Sequence, residues 1–400
     1  MLPSQRDLFS LPDGLHFLNG AYMSPLLLSV EAAGVAGVRI KRVPTDLGPA
    51  SFFEDADRVR QLFARVVRAA SVEAVAARTA LVPAVSYGMA TVARNVEAGP
   101  GQSVVVLSEQ FPSHVYPWRR LAADTGASVR TVEAPGALGT PGRAAAWNAR
   151  LLDAIDADTA LVAVPNVHWA DGTVFDLEAV GARCRATGAA LVVDGTQSVG
   201  AYPFDVEAVR PDALVCAGYK WLLGGYGLGV MVLGDRFLDG RPLEENWIGR
   251  AGSDEFGGLT RYQDAYAPGA VRFDVGERSN PVLLPMLAAA LEQVLDWTVE
   301  AIQERCVSLA ERIVEGASAH GYGAESPAGR AGHLFGLAPP PGVPLDAVRE
   351  AVAARNVSVS FRGAAIRVSP HVYNDEADAD ALVGALGAAV DTSRASSPTA

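Results

Sequence analysis

The chain has 400 residues, half of them hydrophobic and a fifth charged, and a formal net charge of −12 at pH 7. This length exceeds the usual size of a single core, so it predicts two unequal domains. The acidic balance without a basic stripe argues against nucleic acid or an anionic membrane as a partner. The sequence also shows no signal-peptide pattern and no apolar stretch long enough to span a membrane. Three widely spaced cysteines without a CxxC pair favour a reducing cytoplasm.

Short apolar runs alternate with helical patterns between about residues 79 and 234. The runs are predicted to be strands, at 79–82, 104–107, 161–164, 190–193, 213–216 and 230–233. Continuous apolar strands separated by helices predict a mainly parallel sheet covered on both faces. In such a sheet, polar site residues cluster just beyond the strand ends.

The second half of the chain has a different pattern. Residues 240–280 are rich in glycine, arginine and aromatic residues, which predicts long loops crossing between domains or subunits. A long helical pattern, three short strand-like runs and two further helices follow, and together they predict a small α+β domain. The predicted division is an N-terminal segment packing with the small domain (1–35), a large domain (36–275), the small domain (276–391) and a flexible tail (392–400).

Lys220 and Asp194 are the most informative polar residues. Asp194 ends one predicted strand and Lys220 follows the next one, so both should lie at the same sheet edge. A lysine beside Trp221 and several leucines is partly desolvated, which lowers its pKa and makes its amine nucleophilic. The pair predicts a pyridoxal 5'-phosphate site, in which the lysine forms a Schiff base and the carboxylate keeps the pyridine nitrogen protonated. The alternatives are a surface lysine and an aspartate that caps a helix.

Other candidates follow predicted strand ends. Ser86 and Tyr87 open a helix, whose first backbone amides can bind phosphate. Phe111 could stack on a flat cofactor ring or only cap the core. Gln197 could bond the phenolic oxygen of the ring or only solvate a turn. For His114, a hydrogen-bonding role or plain solvent exposure is an equal alternative to a part in the chemistry.

Two further strand ends carry charged or aromatic residues. Residues 166–172 follow the strand at 161–164, and Trp169 and Asp171 are their candidates for facing the pocket. Arg367 interrupts the apolar run 365–368, where a guanidinium is costly unless it is paired. Either it grips a substrate carboxylate with both prongs, or it forms a structural salt bridge.

Together these residues resemble the class V aminotransferase family of fold-type I pyridoxal-phosphate enzymes. The similarity is specific in Asp-Gly-Thr-Gln at 194–197 and Tyr-Lys-Trp at 219–221, and looser from 17–22 to 367–374. The family contains cysteine desulfurases, kynureninases, isopenicillin N epimerase-like proteins, C–S lyases and aminotransferases. The resemblance implies an α/β fold of the fold-type I transferase kind, with a mainly parallel sheet in the large domain and a small α+β domain. It also implies a homodimer with active sites at the subunit interface.

The resemblance also implies a role for individual side chains. These roles are the Schiff-base lysine for Lys220, the pyridine partner for Asp194, the phenolic-oxygen contact for Gln197, phosphate binding for Ser86 and Tyr87, ring stacking in the kynureninase manner for Phe111, further cofactor contacts for Trp169, Asp171 and Tyr219, and substrate binding for Asn19, Tyr22 and Arg367. Trp247, Arg250 and Arg272 are candidates for reaching the site of a neighbouring subunit.

The cysteines bear on the reaction. A cysteine desulfurase needs a mobile thiolate near the end of the chain, whereas the last cysteine, Cys306, lies inside a long helical pattern. Desulfuration through a persulfide is therefore not expected. The pattern favours a lyase that cleaves a side-chain bond of a free α-amino acid, either C–S in a cysteine conjugate or the bond cut by a kynureninase. The expected route is an external aldimine from which Lys220 removes the Cα proton to give a quinonoid.

Several other functions remain open at this point. Transamination and epimerisation share the same first steps, and the sequence does not choose between them. A binding module that has lost catalysis is disfavoured because Lys220, Asp194 and Arg367 are all retained. A Rossmann dehydrogenase is disfavoured because the glycine-rich run 224–229 precedes a strand and not a helix.

Overall fold

A seven-stranded sheet organises the larger part of the molecule in the computed structural model, which describes residues 2–396. The strands are β1 His16–Phe17, β2 Thr79–Val82, β3 Ser103–Leu107, β4 Ser128–Val132, β5 Thr159–Pro165, β6 Ala190–Asp194, β7 Ala213–Ala217, β8 Gly229–Leu233, β9 Gly323–Ala324, β10 Phe335–Ala338, β11 Val357–Ser358, β12 Ser360–Arg362 and β13 Ala365–Val368. The helices are α1 Leu28–Ile40, α2 Glu54–Val66, α3 Val72–Ala77, α4 Val85–Asn95, α5 Tyr116–Thr125, α6 Arg143–Asp153, α7 Leu177–Thr187, α8 Val206–Val209, α9 Asp235–Leu238, α10 Leu283–Trp297, α11 Val299–Ala319, α12 Leu345–Ala354 and α13 Glu376–Ser396.

The large sheet has the strand order β2-β8-β7-β6-β5-β3-β4. Strands β4, β3, β5, β6 and β7 are parallel neighbours, and β8 is antiparallel to both β7 and β2. The prediction of an α/β fold with a mainly parallel sheet is confirmed. Because β8 is antiparallel to both of its neighbours, β2 runs in the same direction as the parallel strands. Its carboxyl end therefore lies at the same edge as theirs.

Alternate residues of each central strand pack on opposite faces of this sheet, as the two-residue period of a strand requires. In β3, Val105 and Leu107 pack with Trp147 on one face. Val104 and Val106 pack with Trp118 on the other face. Both faces are therefore buried, which explains why the central strands are apolar at every position.

A second, four-stranded antiparallel sheet forms the small domain, in the order β12-β13-β10-β9. Its core joins Phe335 and Ile366 of the sheet to residues of α11, α12 and α13. Near the start of the chain, β1 pairs in parallel with β11, so this part of the N-terminal segment reaches the small domain.

The division into domains stays a prediction. Helix α10 packs in the same core cluster as the large sheet, through Leu287 and Leu291, and the start of α11 joins that cluster through Ile302 and Cys306. The chain turns at Thr298, which has a φ of 66°, and only then enters α11. The predicted tail began at 392, but α13 continues to Ser396, and residues 397–400 lie outside the described part of the chain.

Residues 240–280 are mostly irregular, with short 3-10 turns at Phe256–Gly258 and Gly269–Phe273, in agreement with the predicted loops. Within residues 2–396, every helix is too short or too polar to cross a lipid bilayer.

Candidate active site

The carboxyl ends of five strands meet around one cavity of about 210 Å³. Strand β2 leads into α4, β3 leads to Phe111, β5 leads to Trp169, β6 ends at Asp194 and β7 leads to Lys220. The cavity is lined by Pro83, Ala84, Val85, Ser86, Gln110, Phe111, Ser113, His114, Pro165, Val167, Trp169, Asp194, Thr196, Gln197, Ala217, Tyr219, Lys220, Tyr226, Gly227 and Leu228. Seven predicted site residues are thus together: Ser86, Phe111, Trp169, Asp194, Gln197, Tyr219 and Lys220.

Lys220 is a buried amine in this wall, with only 7% of its surface exposed. Burial lowers its pKa from 10.5 to about 8, and the positive charges of Arg367 and Arg362 act in the same direction against the opposing effect of Asp194. Its Nζ lies 5.7 Å from the centroid of the Phe111 ring. A substantial fraction of this amine is therefore neutral and nucleophilic near physiological pH. The sequence contains one other lysine, Lys41, which is exposed and directly follows the end of α1.

Asp194 is buried at the carboxyl end of β6 and is fixed by the turn that follows it. The backbone N–H of Thr196 donates to its Oδ1 at 3.0 Å. The Thr196 hydroxyl in turn accepts from the backbone N–H of Ala217 at 3.2 Å, which ties the end of β6 to that of β7. Asp194 and Lys220 consequently belong to one rigid edge of the sheet.

Gln197 lines the cavity, but its side chain also has structural partners. Its Oε1 accepts from Trp221 Nε1 at 3.0 Å, and its Nε2 donates to the Ala21 carbonyl at 3.1 Å. A primary amide carries two N–H groups, so one remains for the predicted bond to a phenolic oxygen.

Helix α4 presents its first turn to the cavity. Ser86 lines the wall, and the first N–H groups of a helix have no partner within the helix, which favours a phosphate there. Gly88 permits the close approach of this helix, since a Cβ at that position would lie 2.7 Å from Val215 of β7.

Tyr87 does not line the cavity, so a phosphate contact of its side chain is not supported by its position. Its hydroxyl pairs with Glu244, and burial together with that carboxylate raises the tyrosine pKa. Successive residues of a helix point about 100° apart, so the helix that directs Ser86 inward directs Tyr87 away.

Phe111 and Trp169 form an aromatic corner. Their ring centroids are 5.3 Å apart in an edge-to-face arrangement. Trp169 is held by a hydrogen bond from its Nε1 to the Glu109 carbonyl at 2.6 Å. The Phe111 side chain is 38% exposed and lines the cavity, so its face is available to a planar ring.

Asp171 does not line the cavity, so its predicted cofactor contact is not supported by its position. It is buried against Arg143, with 2.8 Å between Arg143 Nη2 and Asp171 Oδ2. Burial alone would raise the pKa of this carboxyl group, but His168 and Arg143 outweigh that effect and hold it well below its usual range. Asp171 is instead part of a buried ion-pair cluster.

Arg367 is 1% exposed and lies behind Trp169, whose carbonyl accepts from its Nη1 at 2.9 Å. Within residues 2–396, no carboxylate lies within 4.0 Å of its guanidinium, and its Nε is buried without a hydrogen-bond partner. Burial, and then the charge of Arg362, lower its pKa to about 9. The structural salt bridge considered above is therefore not found in the described part of the chain. A buried guanidinium without a carboxylate partner is suited to bind the carboxylate of a substrate.

None of the three predicted substrate contacts, Arg367, Asn19 and Tyr22, lines the cavity, although the charge of Arg367 acts on Lys220 in its wall. The Asn19 Oδ1 accepts from the Ser360 hydroxyl at 2.7 Å, and Ser360 Oγ accepts from Arg367 Nη2 at 3.4 Å. Asn19 therefore supports Arg367 indirectly. Tyr22 is 59% exposed.

The residues predicted to reach a neighbouring subunit lie on the irregular loops. Trp247 is partly exposed, Arg250 pairs with Glu245 at 2.5 Å, and Arg272 lies 3.4 Å from Asp239. Their reach into a second subunit stays a prediction.

Two contributors were missed by reasoning from the sequence. Tyr226 lines the cavity and packs on Tyr219, with 4.5 Å between ring centroids. Its glycine-rich setting gave no signal beyond a loop before a strand. The guanidinium carbon of Arg362 lies 5.4 Å from the Trp169 ring centroid, and its charge acts on both Lys220 and Arg367. Arg362 is the last residue of β12, and its sequence neighbours do not distinguish it from an ordinary solvated arginine.

The three cysteines are not suited to act as nucleophiles in this site. Cys184, Cys216 and Cys306 are all buried. Cys306 donates its S–H to the Pro370 carbonyl at 3.4 Å, and burial raises the pKa of its thiol. None of the three can supply an accessible thiolate.

The arrangement fits pyridoxal 5'-phosphate group by group. Lys220 offers a partly neutral amine to the aldehyde, and Asp194 a carboxylate to the ring nitrogen. Phe111 offers an aromatic face to the ring, and the start of α4 with Ser86 suits the phosphate. The uncompensated Arg367 remains for the substrate. Fold and site together define a pyridoxal-phosphate enzyme of the fold-type I class.

Comparison with known proteins agrees with this class. The sequence model of the aminotransferase class-V family matches residues 50–320. An uncharacterized aminotransferase, YcbU of Bacillus subtilis, is 26% identical over 332 residues, which cover 80% of each chain. A probable cysteine desulfurase of Methanothermobacter thermautotrophicus is 32% identical over 232 residues, 57% of this chain and 54% of that protein, so the chain spans about half of its length. The cystine C–S lyase C-DES, solved with its reaction product cysteine persulfide, has a TM-score of 0.81 at 20% identity, covering 94% of this chain and 98% of that one.

The chain belongs to the class V aminotransferase family, since the family model covers well over half of it. It is a pyridoxal-phosphate-dependent enzyme with the fold that was predicted.

Proposed function

We propose that the enzyme is a lyase that cleaves the side-chain bond of a free α-amino acid, with the C–S bond of a cysteine conjugate as its best-supported target. One observation carries this choice. The site has the groups for removing a Cα proton, yet all three cysteines are buried. A desulfurase that carries sulfur on its own thiolate is therefore disfavoured, whereas elimination needs no enzyme thiol. The likeness to C-DES, which is named a cystine C–S lyase, supports the same choice.

Each residue of the site has a separate role in the proposed reaction. Arg367 binds the substrate carboxylate, and Trp169 holds that guanidinium in place through its carbonyl. Lys220, with its lowered pKa, takes the Cα proton on its ε-nitrogen. Asp194 holds the ring nitrogen, Phe111 covers the ring, and the start of α4 holds the phosphate. When bound, the cofactor supplies an electron sink for the carbon that loses the proton.

The proposed elimination is balanced without an outside oxidant. The Cα–H bond breaks and its proton moves to Lys220. A Cα–Cβ double bond then forms while the Cβ–S bond breaks, and the sulfur leaves with the bonding electron pair. Water converts the remaining three-carbon fragment into pyruvate and ammonia, so a thiol or persulfide, pyruvate and ammonia are the expected products.

An aminotransferase is the second candidate, because the relative covering 80% of the chain carries that name. A kynureninase-like cleavage remains compatible with the exposed face of Phe111, and epimerisation shares the first proton transfer. Product analysis separates these reactions. Elimination yields pyruvate and ammonia from cysteine conjugates, transamination yields a new amino acid from an added keto acid, and epimerisation yields only the mirror-image substrate.

The decisive experiment incubates the purified enzyme with a panel of S-substituted cysteines, kynurenine and ordinary amino acids. Pyruvate is followed with lactate dehydrogenase, and ammonia and amino-acid products by chromatography. The matched control is Lys220→Ala, which should lose turnover while remaining folded. Amino-acid products that require an added keto acid, without pyruvate from any conjugate, would overturn the lyase assignment.

We also propose a cytoplasmic homodimer. Exposed apolar and aromatic side chains on α1 and the 240–265 loops, such as Val38 at 65% and Tyr262 at 94% exposure, support an interface there. Light scattering on the purified protein tests it, and a mass equal to one chain would contradict the proposal.

A further inference from the structure

Arg362 is a second guanidinium close to the site that has no acidic partner. Among residues 2–396, no carboxylate lies within 4.0 Å of it, and its Nε is buried without a hydrogen-bond partner. Its side chain makes one hydrogen bond in that part of the chain, from Nη1 to the Phe361 carbonyl at 2.8 Å. Withdrawing part of a charged group from water without compensation is costly, so this arginine differs from a fully solvated one.

The pairing of β12 with β13 puts Arg362 and Arg367 on one face of the small sheet. Ser360 lies opposite Arg367, and Arg362 lies opposite Ala365. Residues two apart in a strand share a face, and so do residues that lie directly opposite each other. The two arginines are therefore diagonal neighbours on that face, about 7–8 Å apart along the backbone.

This face of the small sheet meets the site at Trp169, whose side chain lines the cavity. The guanidinium carbons of Arg362 and Arg367 lie 5.4 Å and 5.9 Å from the centroid of its ring. Neither guanidinium lines the cavity itself, but both lie against a ring that does. Arg362 is partly exposed, and the rotatable bonds of its long side chain let the guanidinium turn past the indole toward a ligand.

Two neighbouring cations without acids call for two negative charges. The charge of Arg362 adds to burial in lowering the pKa of Arg367, so the two groups repel each other in the structure. In the proposed reaction the α-carboxylate of the substrate binds Arg367. That carboxylate leaves the charge of Arg362 unmet, and a second acid on the same substrate would offset it.

We propose that Arg362 binds an acidic group on the substrate side chain, and that the substrate is a cysteine conjugate whose S-substituent ends in a carboxylate. The inference rests on the proposed lyase function and adds the charge of the leaving group to it. Arg367 binds the α-carboxylate, Arg362 binds the acid beyond the sulfur, and the Cβ–S bond that breaks lies between the two acids. The thiol that leaves carries the second acid with it.

The test compares two substrates of nearly equal shape. S-carboxymethylcysteine carries the second acid, and S-carbamoylmethylcysteine carries a neutral amide in its place. Pyruvate release by the holoenzyme gives kcat/KM for each. The wild type should prefer the acid about tenfold, because the amide forms no charge-assisted bond with Arg362.

Three variants show whether Arg362 causes this preference. Arg362→Gln should bring the ratio of the two kcat/KM values close to one, and Arg362→Lys should still favour the acid. The ratio cancels any effect of the lost charge on Lys220, because both substrates share it. Arg349→Gln is the matched control and should keep the wild-type ratio, since Arg349 packs on Phe361 but already has Asp346 as its acid.

Three outcomes overturn the acidic subsite while the lyase assignment stands. The first is a wild-type ratio near one. The second is an Arg362→Gln variant that slows both substrates equally, which would assign Arg362 to the α-carboxylate or to structure. The third is an equal loss of the ratio in Arg349→Gln, which would assign the preference to the general charge of the small domain.

Failure of the lyase assignment gives a different result, in which neither conjugate yields pyruvate. The acidic subsite is then tested by binding alone, with 2-aminoadipate and its side-chain amide, in which a methylene group replaces the sulfur. Their affinities are measured from the absorbance change of the bound cofactor. Binding of the acid about tenfold tighter than the amide, lost in Arg362→Gln, supports the subsite. Equal binding of the two compounds overturns it.

Discussion

Two buried arginines, Arg143 and Arg367, have opposite kinds of partners in this protein. Arg143 is surrounded by partners, with Asp171 Oδ2 at 2.8 Å, Thr173 Oγ1 at 2.9 Å and Glu325 Oε2 at 3.6 Å. Arg367 is even more buried, yet among residues 2–396 it bonds only to a carbonyl and a hydroxyl. Burying a charge is costly, and the first site offsets that cost with acids of the chain itself. The second leaves the charge to a ligand. The comparison separates a structural arginine from a binding arginine by its partners and not by its burial.

The largest expected effect is on stability at the structural arginine. Arg143→Met should lower the free energy of unfolding by about 3–5 kcal/mol, because it leaves Asp171 and Glu325 buried without their cation. Chemical denaturation measures the change. The double variant Arg143→Met/Asp171→Leu should recover part of it, and a single variant as stable as the wild type would break the comparison.

Arg367 should behave in the opposite manner. Arg367→Leu should reduce kcat/KM for amino acids about 10²-fold, because the substrate carboxylate loses a charge-assisted partner, while stability should hold or rise. Steady-state kinetics and thermal unfolding measure both quantities. Arg349→Gln is the control, since Arg349 packs on Phe361 next to Arg362 but has its own acid, Asp346. A large loss of stability with unchanged kinetics would assign Arg367 to structure instead.

The same arginine should shift the titration of Lys220. A neutral amine attacks the aldehyde, so covalent capture of the cofactor by the cofactor-stripped enzyme should accelerate with pH up to about 8 and then level off. Arg367 lowers the Lys220 pKa, so Arg367→Leu should move the midpoint upward. Stopped-flow absorbance across pH 6–10 checks the direction. A downward shift would show that the two charges are not coupled as described.

Ser86→Ala should have the smallest effect. Loss of one hydroxyl bond to the phosphate should weaken cofactor affinity about fivefold, or about 1 kcal/mol, with the backbone amides of α4 still in place. Tyr87→Phe is the matched control, because the Tyr87 hydroxyl pairs with Glu244 outside the cavity. Equal losses in the two variants would contradict the placement of these side chains.

The strand ends explain how much of this site could be predicted from the sequence. Lys220, Asp194 and Phe111 each follow a continuous apolar strand, and parallel strands bring such positions to one edge. Strand β4 was not predicted because it is an exposed edge strand with polar residues such as Arg130 and Thr131. An apolar run marks only strands that are covered on both faces.

Side-chain direction explains what could not be predicted. Tyr87 and Asp171 follow strand ends as closely as Ser86 and Trp169 do, but helix phase and a buried ion pair turn them away from the cavity. Arg362 enters the site only through the pairing of β12 with β13, a long-range contact that no local pattern records.

The most direct measurement uses the two lysines of the chain, Lys41 and Lys220. Borohydride reduction of the yellow enzyme, followed by peptide mapping, should place the reduced vitamin B6 adduct on Lys220 and leave the exposed Lys41 unmodified. An adduct on Lys41, or on neither lysine, would contradict the assignment of Lys220 as the residue that binds the cofactor covalently.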